Sequence, residues 1–339
     1  METKKEINNR ERVVWWNGKL IPESEARLSI YDSALMFGDM VFEMTRSFNK
    51  KQFKLKEHLE RLYASTKFLE IPITMDIDEM EKHCCEVIEA NDHFFKEDDE
   101  HRLMIDVTRG LLSIYKDVVG GYTGPNIIIA DFPLRWTVKG MGKLYDGGVD
   151  AVIPSQRAIP AYLLEPKVKN RSRLHYLMAN IEVSKYKGEN AWALLLDPDG
   201  FIAEGSGDNF FIVKDGKLLT PEPRNILRGV SRKYVIEELC SQLGLECYER
   251  NLELYDVVTA DEAFYTATPF CIMPVTKING LKIGDGKIGE TTKQLLDKWS
   301  SNVGIDIVQQ IKKWDAAGGK NKLSGHSPYS FNNYEEDKF

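Results

Sequence analysis

The stretch AWALLLDPDGFIAEGSGDNFFIVKDGKLLTPEPRNILRGVSR, Ala191–Arg232, decides the fold. Ala191–Leu196 is an apolar run of strand length, and Asp197-Pro198-Asp199-Gly200 reads as a β-turn. The chain returns through Phe201-Ile202-Ala203 to a carboxylate, Glu204, set against the small residues Gly205-Ser206-Gly207. A second β-rich run, Asn209–Val213, follows, then the turn Lys214-Asp215-Gly216-Lys217. Leu227–Arg232 leads into a helical pattern. One segment thus carries a buried acid between strands and, further on, an exposed helix start. An acid can face a ring nitrogen and helix-start N–H groups can take a phosphate, so the segment suits a phosphorylated heterocycle.

Downstream, a helix over Val230–Leu243 is closed by Gly244, and Leu245–Arg250 reads as a strand. Asp261–Pro269 reads as a strand whose end presents Thr266 and Thr268, and pairing stops at Pro269. A helix over Gly289–Asn302 ends the folded region, and the Gly-, Lys-, Ser- and Asn-rich tail from about Ala316 is expected to be disordered. Gly205-Ser206-Gly207 is not a dinucleotide loop, because a β-rich run follows where a helix is required. Asp197-Pro198-Asp199-Gly200 is explained as a turn without calcium.

Upstream, Val149–Ile153 is a strand. After a proline-punctuated loop comes Lys167–Tyr176, in which Ser172 reads as the N-cap of a helix to about Tyr186. Its expected core face is Leu174, Leu177, Met178 and Ile181. Lys169 sits just ahead of that start. Most lysines are solvated, but one beside helix amides and arginines has its amine pKa lowered, as covalent carbonyl chemistry at neutral pH requires.

The first part of the chain opens with a hairpin over Val13–Ile21, turned by Asn17-Gly18. Ala34–Arg46 reads as a loop running into a strand, turned by Asn49-Lys50-Lys51 into a partner, Gln52–Leu55. Helices follow over Glu57–Leu69 and Asp78–Ala90, the second with Met80, Cys84, Val87 and Ile88 inward. Arg61 lies off the apolar stripe, which alone reads as a solvated arginine; its planar fork also matches phosphate oxygens. His83, His93 and His101 near Glu97-Asp98-Asp99-Glu100 fit no metal-ligand spacing, and an exposed polar loop is the expectation. Strands over Arg102–Arg109 and Asn126–Asp131 complete the set. The expected organisation is an N-terminal α/β domain over residues 1–130, a linker over 131–143, a larger C-terminal domain over 144–315 and the tail over 316–339.

With 339 residues, the chain can build two cores. Its net charge of -7 argues against a nucleic-acid or anionic-membrane surface. The opening METKKEINNRER lacks an apolar run, and no stretch approaches the roughly 20 residues of a membrane span, so neither secretion nor insertion is expected. Five cysteines without CxxC spacing point to reduced thiols and a cytoplasmic setting.

With these residues in hand, the chain resembles the class IV aminotransferases, the fold-type IV pyridoxal-phosphate enzymes. That group holds branched-chain aminotransferases, D-amino-acid aminotransferases and aminodeoxychorismate lyases. The resemblance covers roughly Val13–Trp299, and its markers fall in the family's order. They are FGDMVFE (Phe37–Glu43), HLERL (His58–Leu62), the lysine segment, AEGSGDNFF (Ala203–Phe211), ILRGVSR (Ile226–Arg232) and ADEAFYTAT (Ala260–Thr268).

It implies a two-domain fold, α+β or α/β in class, with mixed sheets, packed helices and pyridoxal 5'-phosphate held between the domains. It further implies that Lys169 is the residue joined covalently to the cofactor aldehyde and that Glu204 pairs with the ring nitrogen. Arg61, the N–H groups of Val230 and Ser231, and Thr268 are implied for the phosphate, Arg173 for the ring oxygen, and Asn209 for the end of the glutamate motif. Relative to the family segment, Ser172 replaces an asparagine. Phe37, Phe42, Met44, Met104 and Ala267 are implied for the substrate pocket, with Met44 in place of a glycine and Met104 in place of an arginine. Lys116, Arg102 and Arg27 are the remaining candidates for the substrate carboxylate. The implied activity is amino transfer between an amino acid, branched-chain L-amino acids first, and a 2-keto acid such as 2-oxoglutarate. The alternatives are a lyase of the aminodeoxychorismate type that releases pyruvate, and a D-amino-acid or amine transaminase. The family further implies a homodimer, with no metal.

Overall fold

The structure, a computed structural model, describes residues 11–117, 122–188 and 190–317. The chain divides into two compact units. One takes the chain up to Leu134 together with Val168–Arg173; the other takes Arg135–Lys167 and the chain from Leu174 onward.

The first unit is an antiparallel sheet covered by helices. Its strands are β1 (Val13–Trp16), β2 (Lys19–Pro22), β3 (Met40–Met44), β6 (His101–Thr108) and β7 (Asn126–Pro133), in the order β2-β1-β7-β6-β3. Asn17 and Gly18 turn β1 into β2 with positive φ, as the Asn-Gly pair predicts. A small hairpin, β4 (Ser47–Phe48) and β5 (Lys51–Gln52), turns on Asn49 and Lys50, again with positive φ. In β6, Leu103, Ile105 and Val107 alternate with Arg102, Met104, Asp106 and Thr108. The apolar set joins Val41 of β3 in a core with Leu59 and Leu62 of α2 (Leu55–Phe68) and Met80, Cys84 and Val87 of α3 (Ile77–Asn91). Both helices match the expected ones to within two residues at either end.

Strand β3 is the sheet's edge, and its free side is covered by the lysine segment. The Phe42 N–H donates to the Lys169 carbonyl (2.9 Å) and the Arg171 N–H to the Met40 carbonyl (2.9 Å), with Val41 opposite Asn170. Ser172 does not cap a helix; its Oγ donates to the Phe37 and Gly38 carbonyls. These close a short helix, α1 (Ser33–Phe37), that was expected as loop; Asp32 caps it, and Gly38 ends it at a φ of +68°.

The second unit is built on a nine-stranded sheet. Its strands are β8 (Val149–Val152), β9 (Ala191–Leu196), β10 (Ile202–Gly205), β11 (Asn209–Lys214), β12 (Lys217–Thr220), β13 (Cys247–Glu249), β14 (Glu262–Ala267), β15 (Cys271–Ile278) and β16 (Leu281–Lys282). The order β10-β9-β8-β15-β14-β11-β12-β13 mixes parallel and antiparallel pairs, and β10 also pairs β11 at Glu204 and Asn209. That single pair closes the run from β10 to β11 into a ring. Short helices α4 (Arg135–Val138), α5 (Leu144–Gly147) and α9 (Leu254–Val258) fill connections, α6 (Leu174–Val183) packs on β9, and α10 (Glu290–Val303) lies against β14 and β15. The expected helix over Val230–Leu243 is continuous but contains a π-helical turn, Val235–Leu239, between α7 (Val230–Tyr234) and α8 (Cys240–Leu243).

Three expectations need correction. The core face of α6 is Ala179, Asn180 and Val183, whereas Leu174 and Met178 are exposed, so the periodicity picked the wrong side of a mostly apolar helix. The folded chain extends beyond Asn302 into α11 (Ile307–Ala317), which buries Trp314 and whose Asp315 accepts from the Gly140 and Gly142 N–H groups, both 2.7 Å. The first residues of the expected tail, Ala316 and Ala317, thus belong to α11, and its remainder lies outside the described residues. Finally, Asp99, Glu100 and His101 are buried, not an exposed loop. Glu100 accepts from Ser47 Oγ (2.5 Å) and from the Asn49 and Lys50 N–H groups (both 2.9 Å), and His101 Nδ1 bonds Asp131 (2.8 Å). No metal-ligand cluster of three occurs among the described residues. Glu100→Ala leaves those donors without their acceptor and should cost about 3 kcal/mol, read as a lower urea midpoint with an unchanged slope.

Candidate active site

Alternation in β3 and β6 gives the first unit a second face, opposite its core. Phe42 stands across from Asp106 and Met44 from Met104 on that face. The antiparallel seating of the lysine segment puts Lys169 and Arg171 on the same side. Lys169 Nζ lies 4.6 Å from the Phe42 ring centroid, and the guanidinium carbons of Arg171 and Arg173 lie at 3.7 and 5.7 Å. Arg171 Nε and Nη2 both donate to Asp106 Oδ1, at 3.1 and 2.8 Å. Burial pushes the Asp106 carboxyl up, with Arg171 pulling against it.

Arg61 is not the solvated arginine that periodicity alone suggests. Its Nε and Nη2 donate to the two oxygens of Glu43, at 2.6 and 2.8 Å, and Glu43 is fully buried. His58 Nδ1 reaches the same carboxylate at 2.7 Å and must donate, since a carboxylate can only accept. Burial alone would raise the Glu43 carboxyl, but Arg61 and His58 outweigh it and hold it far below the usual carboxylate range. Burial also pushes His58 down, against the pull of Glu43. The cluster is therefore an ionised Glu43–Arg61 pair with a neutral imidazole.

In the second unit, Glu204 is buried and accepts hydrogen bonds from Tyr176 OH (2.6 Å), Asn209 Nδ2 (3.0 Å) and the Leu227 N–H (3.0 Å). These three donors fix the direction of the carboxylate, which as an anion can also accept from a cationic ring nitrogen. Asn209 also donates to the Leu227 carbonyl (2.9 Å), which ties β11 to the turn before α7. Gly229 precedes Val230 and Ser231 with no side chain capping the helix, and a Cβ there would meet Asn209 Oδ1 at 2.2 Å. Thr268 lies in the turn after β14 beside the buried Ala267. Thr266 differs: its hydroxyl is committed to the Cys271 carbonyl (2.7 Å).

Of the residues singled out in the sequence, the structure sets Lys169, Arg173, Phe42, Met44 and Met104 on one face of the first unit, Arg61 on Glu43, and Glu204 with Asn209 at the ring closure of the second. Phe37 ends α1 exposed. Of the carboxylate candidates, Arg27 and Lys116 are exposed and Arg102 is buried, with Nη2 3.5 Å from Met44 Sδ. Tyr176, Glu43, His58, Asp106 and Arg171 were missed. Strand alternation flags Glu43 and Asp106 as carboxylates inside β3 and β6; nothing in the sequence flags the partner of Tyr176.

The Glu43 cluster makes stability pH-dependent. Both Glu43 and His58 titrate below their ordinary values of 4.5 and 6.5, so each contributes stability above that value and loses it as pH falls. Glu43→Gln should lower stability at neutral pH by about 3 kcal/mol, because Arg61 loses a buried partner. It should also shrink the loss of wild-type stability between about pH 5 and pH 3, followed by urea denaturation at each pH.

A model of the family described as amino-transferase class IV matches residues 40–278. A Methanocaldococcus jannaschii protein, named provisionally as a branched-chain-amino-acid aminotransferase, is 38% identical over 289 residues, 84% of this chain and 94% of that one. The crystal structure of the Escherichia coli branched-chain amino acid aminotransferase superposes with a TM-score of 0.77 at 28% identity, covering 86% of this chain and 94% of that one. The branched-chain amino acid aminotransferase from Thermobaculum terrenum, in its PLP-bound holo form, superposes with a TM-score of 0.74 at 26% identity, covering 91% and 98%. The fold is that of these enzymes, and the chain belongs to the class IV aminotransferases.

Proposed function

We propose that this protein is a pyridoxal-phosphate-dependent aminotransferase that moves the amino group of branched-chain L-amino acids to a 2-keto acid such as 2-oxoglutarate. The observation that carries the substrate reading is the 38% identity, over most of both chains, to a relative named for that activity. The relatives named above are all aminotransferases, which favours transfer over elimination of pyruvate.

The residues present fit the cofactor. Glu204 offers a buried carboxylate with neutral partners for a protonated ring nitrogen. Val230 and Ser231 offer N–H groups at a helix start that glycine keeps clear, and Arg61 and Thr268 complete the proposed phosphate set. Asn209 holds Glu204, and Arg173 is proposed for the ring oxygen. When bound, pyridoxal phosphate supplies an aldehyde that takes the amino group and a ring that accepts electrons from the α-carbon. Lys169 would hold that aldehyde through its amine, and the same amine, once released, would move the proton at the substrate α-carbon. Phe42, Met44, Met104, Phe37 and Ala267 are proposed as pocket residues; Met44 and Met104 face each other across β3 and β6 and narrow that side for an aliphatic chain.

The protein is further proposed to be a cytoplasmic homodimer, supported by five cysteines that form no disulfide and by exposed apolar residues, among them Leu35, Phe37, Leu174 and Met178. Among the described residues no helix is long and apolar enough to cross a membrane.

Two experiments test this. Leucine with 2-oxoglutarate should yield glutamate, and pyruvate release without glutamate would favour the lyase. Gly229→Ala should displace Asn209 and weaken cofactor affinity by about tenfold or more, measured by titrating cofactor absorbance, with unchanged affinity contradicting the assigned phosphate site.

A further inference from the structure

Arg171 is not used by the chemistry above, yet it is held on the Lys169 face by two partners. Asp106 takes its Nε–H and one Nη2–H through a single oxygen, and the Phe42 ring lies 3.7 Å beneath its guanidinium carbon. A guanidinium has five N–H donors, so three stay for another partner, including both on Nη1. The two ends of the pair differ in exposure: the Asp106 side chain is 9% exposed and that of Arg171 is 32% exposed. A pair serving only to hold the fold has no need to leave its cation open to solvent. Here the carboxylate is sunk in the sheet and the fork is held outward by it.

Position adds the second argument. Lys169 and Arg171 are alternate residues of one extended segment seated on β3, so they share a face and stand about 6.6 Å apart along the strand. One small amino acid spans that distance. Three cations, Lys169, Arg171 and Arg173, surround the Phe42 ring, against the carboxylate of Asp106. Met44 and Met104 provide apolar surface beside them. The face therefore combines a reactive amine, an oriented anion receptor and an aliphatic wall.

We propose that Arg171 binds a carboxylate of the substrate, with Asp106 and Phe42 as the residues that position it. This rests on the aminotransferase reading above. The carboxylate is either the one on the α-carbon of every substrate or the second one of a dicarboxylic acceptor.

The test uses the cofactor-loaded protein and two unreactive acids, 4-methylpentanoate with one carboxylate and glutarate with two, titrated by calorimetry. Arg171→Met should weaken glutarate about tenfold or more, and Arg171→Lys should recover part of the loss, since a point charge replaces a fork. A parallel loss for 4-methylpentanoate assigns the α-carboxylate; a loss confined to glutarate assigns the second one. Unchanged affinity for both acids overturns the proposal, as does a loss of cofactor affinity in their place. Asp106→Asn should raise KM and leave kcat unchanged. A merely structural Asp106 would instead lower the active fraction, hence apparent kcat, at constant KM. Cofactor absorbance of the wild type is scored first: a protein that takes up no pyridoxal phosphate fails the aminotransferase reading, whereas one that takes it up and binds both acids independently of Arg171 fails only this one.

Discussion

Two backbone hydrogen bonds fix where Lys169 stands. Strand β3 is an edge, and an edge left open is a template for pairing with whatever extended chain arrives. This protein closes it with its own lysine segment, through Phe42 to Lys169 and Arg171 to Met40. Because side chains alternate, a slip of one residue would put Lys169 and Arg171 on the other side and Asn170 on the Phe42 face. Ser172 guards against that slip by bonding two carbonyls at the end of α1, where Gly38 has no side chain to obstruct it. The register of four residues thereby sets which amine meets the Phe42 face.

The two buried carboxylates, Glu43 in the first unit and Glu204 in the second, are held in different ways. Glu43 is buried with a cation and a neutral imidazole, and its carboxylate orients Arg61 from behind. Glu204 is buried with a phenol, an amide and a backbone N–H, which fix the direction of the carboxylate while supplying no positive charge. The first arrangement suits a residue that must present a fork in one direction. The second suits a residue that must present a carboxylate in one direction. Both are held by elements assembled from distant sequence: Arg61 comes from α2 and Glu43 from β3, while Tyr176 comes from α6 and Leu227 from the turn before α7.

Much of this was legible in the residues themselves. The hairpins announced themselves by Asn-Gly and by Asn49-Lys50, the helices α2 and α3 by their apolar stripes, and β10 and β11 by the Glu204 corner. Local rules fail where partners come from far away. Arg61 looks solvated from helix periodicity because its partner lies eighteen positions earlier on another element. Glu100 and His101 look like an exposed acidic loop because their partners, the donors on Ser47, Asn49 and Lys50 for Glu100 and the Asp131 carboxylate for His101, are invisible to spacing. Helix α6 is apolar nearly all round, so its stripe does not say which side packs on β9. Ser172 has the chemistry of an N-cap and is claimed instead by α1, more than a hundred residues upstream. Asp106 could have been found: in Arg102–Thr108 it falls on the face opposite Leu103, Ile105 and Val107, which join the core.

The central claim is that the amine of Lys169 carries the cofactor. Reduction of the yellow protein with borohydride, followed by proteolysis and mass spectrometry, reads this out directly. The account predicts one phosphopyridoxyl adduct, on the peptide containing Lys169 and at that residue. An adduct on Lys167 or on any lysine outside the segment paired with β3 would contradict it.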